Sequence, residues 1–587
     1  MTKLNNQQQK AVQADNRPLL IIAGAGTGKT RTLTSRIIYL MENQKILPEK
    51  ICALTFTNKA AKEMADRVSA FIKSKAKLPF IGTFHSLGSS ILRKEARFLD
   101  RKSNFVIFDD NDSFQLIKKL SKNSALKPGT IREKISLIKN LSVNPSEISE
   151  LGVQGRLILD KFREYEQKLR NNNAFDFDDL IEKTIRVLSE NQDILKKYQT
   201  KFTHFLIDEY QDINRAQYEL VKLLVGNRKN LSAVGDHEQT IYGWRGSDIE
   251  MFLNFEKEWP GSQVIFLEEN YRSTANIIKA ASEIIRNSSY TPPGWKGRKL
   301  WTKNPDGPMV RIIEASDADE ESKLIADDIK NKLTMGENHL KIAILYRTNA
   351  QSRALEQALI EAEISYQIFG GLKFYERREI KDILAGIRCF FNSQDELSKE
   401  RLLKNLGKRR SDRFWQTIHN NESIGPLKVI DKFLSSTNYL EYINQQLTNP
   451  EDRRENIKEL IHFASSFNDL GRFLETASLL QATDDMEKTG NPIQLMTIHL
   501  AKGLEFDQVF IAGCSEGLIP HRRSMDNSAN TEEERRLIYV AMTRAKKELV
   551  ISFYDLPSRF LIEIPMNVVE FNGQRPIDEE ERYITID

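Results

Sequence analysis

The amino-acid sequence predicts an α/β protein in which two parallel-sheet domains are each interrupted by a helical insertion. Three observations carry this. Short apolar runs that read as strands buried on both faces recur in each half, and each is followed by apolar residues at helical spacing. The alternation lapses twice, over 104–173 and 391–489, where only helical patterns remain. The first strand runs directly into a glycine loop that ends in Lys29-Thr30. At 587 residues the chain is too long for a single core and divides into about three to five domains.

Leu4 to Val12 is rich in glutamine; a Gln amide donates and accepts at once, which suits an adenine edge or a polar helix start equally. Leu19-Leu20-Ile21-Ile22 is the first strand, Ala23-Gly24-Ala25-Gly26-Thr27-Gly28-Lys29-Thr30 the loop, and Arg31 to Met41 the helix after it. Glycines let the backbone curl so that its N–H groups converge on an anion, and the following helix brings its positive end to the same point. Lys29 supplies a mobile charge for the β and γ phosphates, and the Thr30 hydroxyl sits where it completes the coordination of Mg2+. The usual pattern begins with glycine; Ala23 fits if it keeps an ordinary strand conformation.

Ile51 to Phe56 is the next strand, and Thr57 and Asn58 are good caps for the helix behind it. Phe80 to Ser86 repeats the arrangement, with His85 reading as a hydrogen-bonded histidine at a strand end. After the first helical stretch, with helices around 130–141 and 155–169, Phe205-Leu206-Ile207 delivers Asp208-Glu209 to the end of a buried strand. Asp208 is placed to hold magnesium and Glu209 to orient and polarise an attacking water. An acidic pair ending an apolar strand downstream of a phosphate loop predicts an ATPase. Ala233 to Gln239 repeats the pattern, with Gln239 placed to sense the γ phosphate. The loop Ile241-Tyr242-Gly243-Trp244-Arg245-Gly246 sets aromatic residues beside arginine, a stacking platform for bases or ordinary core packing for Trp244.

In the second half, 310–313, 341–346, 493–497, 508–512 and 548–553 read as buried strands with helices such as 352–362 and 532–541 between them. Helices around 427–434 and 457–467 fill the second interruption. The acidic stretch 578–581 reads as a solvated tail.

Composition bounds the function classes. The 86 Lys and Arg nearly balance 82 Asp and Glu, for a net charge of +4, so net charge alone does not argue for nucleic acid. Cys52, Cys389 and Cys514 are isolated, with no paired spacing for zinc or an iron cluster, as expected in a reducing compartment. No run approaches the roughly 18 apolar residues of a membrane span. A soluble, cytoplasmic protein without membrane partners is expected.

With the loop, the acidic pair and the aromatic loop in one order, the sequence resembles the UvrD/Rep/PcrA-type DNA helicases of superfamily 1. The likeness extends through ALTFTNKAAKEM (53–64), GTFHS (82–86), LIDEYQD (206–212), VGDHEQTIYGWRG (234–246), ENYRS (269–273), MTIHLAKGLEF (496–506) and EEERRLIYVAMTRA (532–545). It implies two RecA-like P-loop motor domains with ATP between them and single-stranded DNA across their top. Carried over by position, Gln8 would read adenine, and Tyr271 and Arg31 would sandwich its ring. Ala23 to Thr30 would hold phosphates, Thr30 and Asp208 magnesium, and Glu209 and Gln239 would act as above. Arg272 and Arg544 would reach the γ phosphate from the far side of the cleft, and Glu505 would accept from the ribose. For DNA the resemblance offers Phe56, Asn58, Thr83, His85, Tyr242, Trp244 and Arg245, with His499 and His521 beside them.

The resemblance further implies an ATP-dependent 3′ to 5′ helicase acting on single strands and on single-strand/duplex junctions, in repair or replication restart, as a monomer or a DNA-induced dimer. A single-strand translocase that displaces bound proteins with little unwinding is the alternative. The expected domains are 1–103 plus 174–276 for the first motor and 104–173 for its insertion. The second motor takes 277–390 plus 490–565, its insertion 391–489, and 566–587 forms a short tail. Two departures stand out: the second insertion looks short, with Arg410-Ser411-Asp412 where relatives place a Gly-Ile-Gly turn, and little chain follows the last motor strand. Protein partners have no signature.

Overall fold

The computed structural model describes residues 4–572, apart from 72–76, 123, 141–144, 151, 244–245, 289–294, 296–298, 338–339, 371, 373, 393–394, 419–423, 475–476 and 478–490. The chain separates into two compact units, Met1–Arg272 with Tyr290–Lys303, and Ser273–Ser289 with Asn304–Asp587.

The first unit opens with a helix, Asn6–Gln13, capped reciprocally by Asn5 and Gln8. Strands β1 (Leu19–Ala23), β2 (Ile51–Thr55) and β3 (Phe80–Thr83) follow, then the short β4 (Val106–Phe108) and β5 (Ala174–Asp176). Next come β6 (His204–Ile207), β7 (Leu231–Gly235), β8 (Gln263–Leu267), β9 (Glu269–Asn270) and β10 (Trp301–Thr302). Six of them form a wholly parallel sheet in the order β3-β2-β6-β7-β1-β8. β1, β2, β6 and β7 are buried along their entire length, which is why they read as unbroken apolar runs. Ala23 ends β1 in register with Leu267, so the residue that replaces the usual glycine is ordinary strand.

Between β3 and β6 lie the helices Asp110–Leu120, Pro128–Lys139, Pro145–Glu150 and Val153–Asn171, built around two apolar clusters of their own, one with Ile117, Ile131, Ile135, Tyr165 and Leu169, the other with Ile138, Ile148 and Ile158. The stretch 104–173 is not purely helical as expected: β4 pairs in parallel with β5, at a length too short for periodicity to reveal.

The second unit holds β11 (Val310–Ala315), β12 (Ile342–Tyr346), β13 (Tyr366–Ile368), β14 (Ile493–Thr497), β15 (Phe506–Ile511), β16 (Ala545–Tyr554) and β17 (Val569–Phe571). They form one parallel sheet in the order β13-β14-β12-β15-β16-β11-β17. Between β13 and β14 the helices Arg378–Phe391 through Pro450–Ser465 enclose a separate apolar core that includes Ile383, Ile387, Phe414, Phe433 and Leu460. The stretch expected to be tail from 566 onward begins inside this sheet, since β17 pairs with Val310–Ile312. The acidic residues 578–581 lie outside the described residues. No helix among the described residues is long and apolar enough to cross a membrane, and all three cysteines are free and buried.

Candidate active site and nucleic-acid interface

All strands of the first sheet run the same way, so everything that follows them in the chain collects at one edge, where ligands of open α/β sheets bind. The neighbours β6, β7 and β1 bring three polar turns side by side.

The turn after β1 is the phosphate loop. Gly26 at φ +69° and Gly28 at φ +85° occupy the left-handed region, and Gly28 caps the helix Lys29–Glu42. A Cβ on Gly26 would stand 2.5 Å from the Asn270 amide nitrogen and 2.8 Å from the Arg272 Cβ, so glycine is required there twice over. Thr27 Oγ1 donates to the Gly24 carbonyl at 2.9 Å, Asn270 Nδ2 to the Ala25 carbonyl at 2.6 Å, and the Tyr271 amide to the Gly26 carbonyl at 2.9 Å. With these carbonyls held from outside, the start of the helix Lys29–Glu42 brings its amides and positive end to the point where an anion would sit.

The turn after β6 carries the acidic pair. Asp208 is 3% exposed, and Thr30 Oγ1 lies 3.4 Å from its Oδ2. Burial pushes its carboxyl up to about 7; the Glu209 charge adds to the rise and Lys29 opposes it. A buried carboxylate beside a hydroxyl, with a second carboxylate adjoining, fits a hard cation that completes its shell with phosphate oxygens and water. Among the described residues no cluster of three or more His, Cys, Asp or Glu side chains is gathered for a metal. Glu209 stands at φ +50°, in the left-handed region, and its amide donates to Asp208 Oδ1 at 3.0 Å.

Gln211, which sequence reasoning missed, joins this turn to the next. Fully buried, its Nε2 donates to Glu209 Oε2 at 2.6 Å and to Asp212 Oδ2 at 3.3 Å, while its Oε1 accepts from the Asp236 amide at 3.0 Å. A Cβ on Gly235 would meet that Oε1 at 2.3 Å, which explains the glycine ending β7. Asp236 in turn accepts from Gln239 Nε2, so Glu209, Gln211, Asp236 and Gln239 form one chain of contacts across two strand ends. The sequence signal was a glutamine two residues beyond the acidic pair, which is unremarkable until the fold sets it against β7.

The adenine-side residues surround the same loop. Gln8 does not present a free amide edge: its Oε1 accepts from the Asn5 amide at 3.1 Å and its Nε2 donates to the Thr27 carbonyl at 3.0 Å. The helix-start reading, one of the two the sequence allowed, is seen in the reciprocal cap with Asn5. Tyr271 is 46% exposed, and its hydroxyl donates to Glu269 and accepts from Asn5, both at 2.8 Å. Arg31 stands in the first turn of the helix behind the loop. Arg272 corrects an expectation: it belongs to the unit that carries the loop and approaches Gly26, so it does not come from across a cleft.

Candidate DNA residues gather at the same sheet edge. Phe56, at the end of β2, stacks on Tyr242 with ring centroids 5.2 Å apart and planes 14° from parallel. Thr83 caps the helix Phe84–Glu95, and His85 in its first turn meets Phe177 edge-on at 6.0 Å. Burial holds the His85 imidazole below its ordinary value, so it stays neutral near pH 7. Asn58 is exposed at the start of the helix capped by Thr57. Trp244 and Arg245 lie outside the described residues.

The second unit carries the remaining candidates. Arg544 is 2% exposed, its guanidinium donating to the carbonyls of Val540 at 2.9 Å and Leu504 at 3.2 Å. Glu505 is exposed and pairs with Lys546 at 2.6 Å. His499 lies in the short helix Ile498–Ala501. His521 is held by its backbone amide on Glu534 at 3.2 Å and by its ring against Glu455 at 3.5 Å, within an ionic network that includes Arg347 and Arg523. Of the five cations 404, 408, 409, 410 and 413 in the second insertion, Arg410 is turned onto the Tyr442 ring at 5.4 Å, and the other four are exposed.

Comparison with known proteins agrees with this geometry. The profile of the UvrD/REP helicase N-terminal domain matches residues 4–260, and that of the UvrD-like helicase C-terminal domain matches 265–451 and 427–555. The ATP-dependent DNA helicase PcrA of Staphylococcus aureus (strain MRSA252) is 36% identical over 641 aligned residues, covering 97% of this chain and 87% of that protein. PcrA of Bacillus subtilis (strain 168) is 38% identical over 645, again 97% and 87%. Both halves are matched and the likeness runs through nearly the whole length, so the chain belongs to the UvrD/Rep helicase family.

Proposed function

We propose that the protein is an ATP-dependent DNA helicase and translocase that moves 3′ to 5′ on single-stranded DNA and unwinds duplex as it hydrolyses ATP, in repair or replication restart. The direction and the setting are carried over from the resemblance to the family as part of this proposal. The observation that best supports the activity is the continuous contact from Glu209 through Gln211 to Asp236 and Gln239, on the strand whose following loop carries Tyr242 stacked on Phe56. A path of this kind lets occupancy of a base platform alter the group that orients water.

In this reading Lys29 and the loop amides neutralise the phosphates. Magnesium, when bound, would be held by Thr30 and Asp208 and would add charge neutralisation. Glu209 aligns the attacking water and accepts its proton, and Gln211 keeps that carboxylate in place. Arg272 from the first unit and Arg544 from the second offset the charge that grows on the transferred phosphoryl group. Adenine stacks between Tyr271 and Arg31, and Gln8 reads its edge with the second N–H of Nε2 and the second lone pair of Oε1, its first ones being held by Thr27 and Asn5. Glu505 accepts from the ribose. Phe56, Tyr242 and Trp244 alternately grip and release bases while Asn58, Thr83, His85, Arg245 and His521 line the strand's path.

Two measurements test this. ATP turnover is expected to be slow alone and strongly stimulated by a single-stranded oligonucleotide; equal rates with and without it would refute the reading. Strand displacement is expected on duplex with a 3′ tail and not with a 5′ tail. The alternative, a translocase that strips proteins with little unwinding, is favoured by one observation: Lys408–Ile418 is a continuous helix that begins directly after Gly407, where a glycine turn would bring backbone amides to duplex phosphates. Only the side chains of Lys404, Lys408, Arg409 and Arg413 are then offered, and such contacts weaken steeply with salt. Salt-resistant binding of a tailed duplex, well above that of the tail alone, would exclude it.

A further inference from the structure

Between the acidic pair and the helix Arg215–Val225 run five residues, and the last two of them touch three different parts of the first unit. The Ile213 carbonyl accepts from the Asp248 amide at 3.3 Å, and Asn214 forms an antiparallel bridge with Ser247. These two contacts fasten the far end of the aromatic loop to the segment that leaves Glu209. On its other side, Asn214 Nδ2 donates to Asn140 Oδ1 at 2.7 Å, and the Asn140 carbonyl accepts from the Ala216 amide at 3.2 Å. Asn140 closes the helix Pro128–Lys139 of the first insertion.

This anchor cannot drift easily. Asn140 Nδ2 is spent on Asp178 Oδ1 at 3.1 Å and on the Ser136 carbonyl at 2.9 Å, which fixes the orientation of its amide. The residue before it, Lys139, is 1% exposed and reaches Asp176 at 2.7 Å, Asp179 at 2.8 Å and Glu166 at 2.8 Å. Asn214 is equally constrained. Its Oδ1 accepts from the Gln217 amide at 2.9 Å as the helix cap, so only its Nδ2 faces the insertion. The helix 215–225 therefore has its first turn bonded both to itself and to the insertion.

We propose that Asn140 and Asn214 are positioning residues through which the first helical insertion holds the segment 213–214 still, so that a shift of Tyr242 and of Ser247–Asp248 on binding a strand is delivered to Glu209. Without the anchor, the first turn of the helix 215–225 would absorb the movement by fraying. The inference rests on the reading of that loop as the DNA platform. Neither residue is among those assigned to nucleotide, strand or attacking water; their effect is on how far hydrolysis depends on DNA.

The test uses the full chain and a poly-thymidine oligonucleotide, and reads turnover with and without it, oligonucleotide affinity and melting temperature. Asn140→Ala is expected to leave basal turnover and affinity unchanged and to cut the stimulation by roughly fivefold, the factor that loss of one ordinary hydrogen bond commands. Asn214→Asp keeps the helix cap but sets two oxygens against each other at the anchor, and is expected to lose stimulation by at least as much. If both act through their mutual contact, Asn140→Ala with Asn214→Asp will be no worse than Asn140→Ala alone. Stimulation equal to wild type in both single variants would overturn the proposal, as would basal and stimulated rates falling in equal proportion. Should Asn140→Ala fail to fold, Asn214→Asp decides by the same readings. A wild-type protein without any stimulation would instead overturn the reading of the loop itself, so the two failures are distinguishable.

Discussion

Replacing Gln211 by leucine removes the contact between the water-orienting carboxylate and the neighbouring strand end while keeping nearly the same volume. Two losses follow from its bonds. The Asp236 amide, on a residue 1% exposed, is left without its acceptor, which costs about 1–3 kcal/mol of stability. Glu209 loses a 2.6 Å donor, and a hydrogen bond to a charged group is worth about 1.5–3 kcal/mol. If that bond keeps Glu209 aligned in the transition state, the second loss appears as turnover lower by roughly 10- to 100-fold, at about 1.4 kcal/mol per decade. Nucleotide affinity should stay within about twofold, because Gln211 makes no bond to Lys29 or Thr30. Gln211→Glu separates the two effects: it still accepts from Asp236 but sets a like charge against Glu209, so stability should be better kept than turnover. Phosphate release at saturating oligonucleotide, a nucleotide titration and a thermal melt read all three quantities. Gln211→Leu that melts lower yet turns over within twofold of wild type would show that Gln211 only packs the turn.

Three further outcomes are expected. Arg544→Ala should bind nucleotide normally but lose turnover by on the order of 10³-fold, as an arginine finger would, whereas Lys29→Ala should lose binding as well; residual turnover above a tenth in Arg544→Ala would return that residue to the scaffold that Val540 and Leu504 already give it. Glu321 is 3% exposed with its carboxylate on the Gly513 amide, and burial raises its pKa to about 7. The stability linked to its protonation is therefore fully present below its ordinary value near 4.5 and lost as pH rises through 7, so Glu321→Gln should stabilise the chain at pH 8 by at most about 3 kcal/mol and hardly at pH 4, and a gain that does not change with pH would refute this. Lys139→Met strands three carboxylates around a fully buried site and should destabilise the first unit by about 3–5 kcal/mol in a denaturant melt; a loss under about 1 kcal/mol would mean that the carboxylates take up protons at little cost.

Much of this was legible in the sequence because a strand buried on both faces in a parallel sheet leaves an unmistakable apolar run. Leu19–Ala23, Ile342–Tyr346 and Ile493–Thr497 appear within a residue of where the runs place them. The phosphate loop was legible for a related reason: its glycines answer to local backbone needs, Gly26 and Gly28 both lying at positive φ. Residues whose roles depend on distant parts of the chain were not. Gln211 matters because β6 and β7 are neighbours, and Asn140 because it meets a residue 74 positions away. Gln8 suits an adenine edge or a helix start in the sequence; the capping box shows the helix start, and each end of the amide keeps one further hydrogen-bonding position. Arg272 lies in the first unit, where the expected boundary at 276 already put it, so the far-side role carried over from the resemblance conflicted with the expected domains. The strands Val106–Phe108 and Val569–Phe571 escaped because three residues show no period.

The two helical insertions share a manner of attachment that bears on how such a motor works. Each has its own apolar core, distinct from that of the sheet it interrupts, so apolar packing within the insertion does not by itself fix its orientation to the sheet. Buried charge does so instead. In the first unit Lys139 binds Asp176 and Asp179 beside the anchor on Asn214. In the second, Arg353 is fully buried and reaches Asp319 of the sheet domain at 2.7 Å and Glu459 of the insertion helix Pro450–Ser465 at 2.6 Å, while Arg377 reaches Asn456 of that helix at 2.7 Å. Ion pairs of this kind contribute little net stability, because removing two charges from water costs about as much as their attraction returns. Their geometry, however, is satisfied in one orientation only, whereas an apolar interface tolerates sliding. An insertion fastened in this way would follow any movement of its sheet. Apolar replacements at Arg353 and Glu459 together would therefore be expected to preserve folding while loosening the transmission of movement, the reverse of what a purely stabilising contact would do.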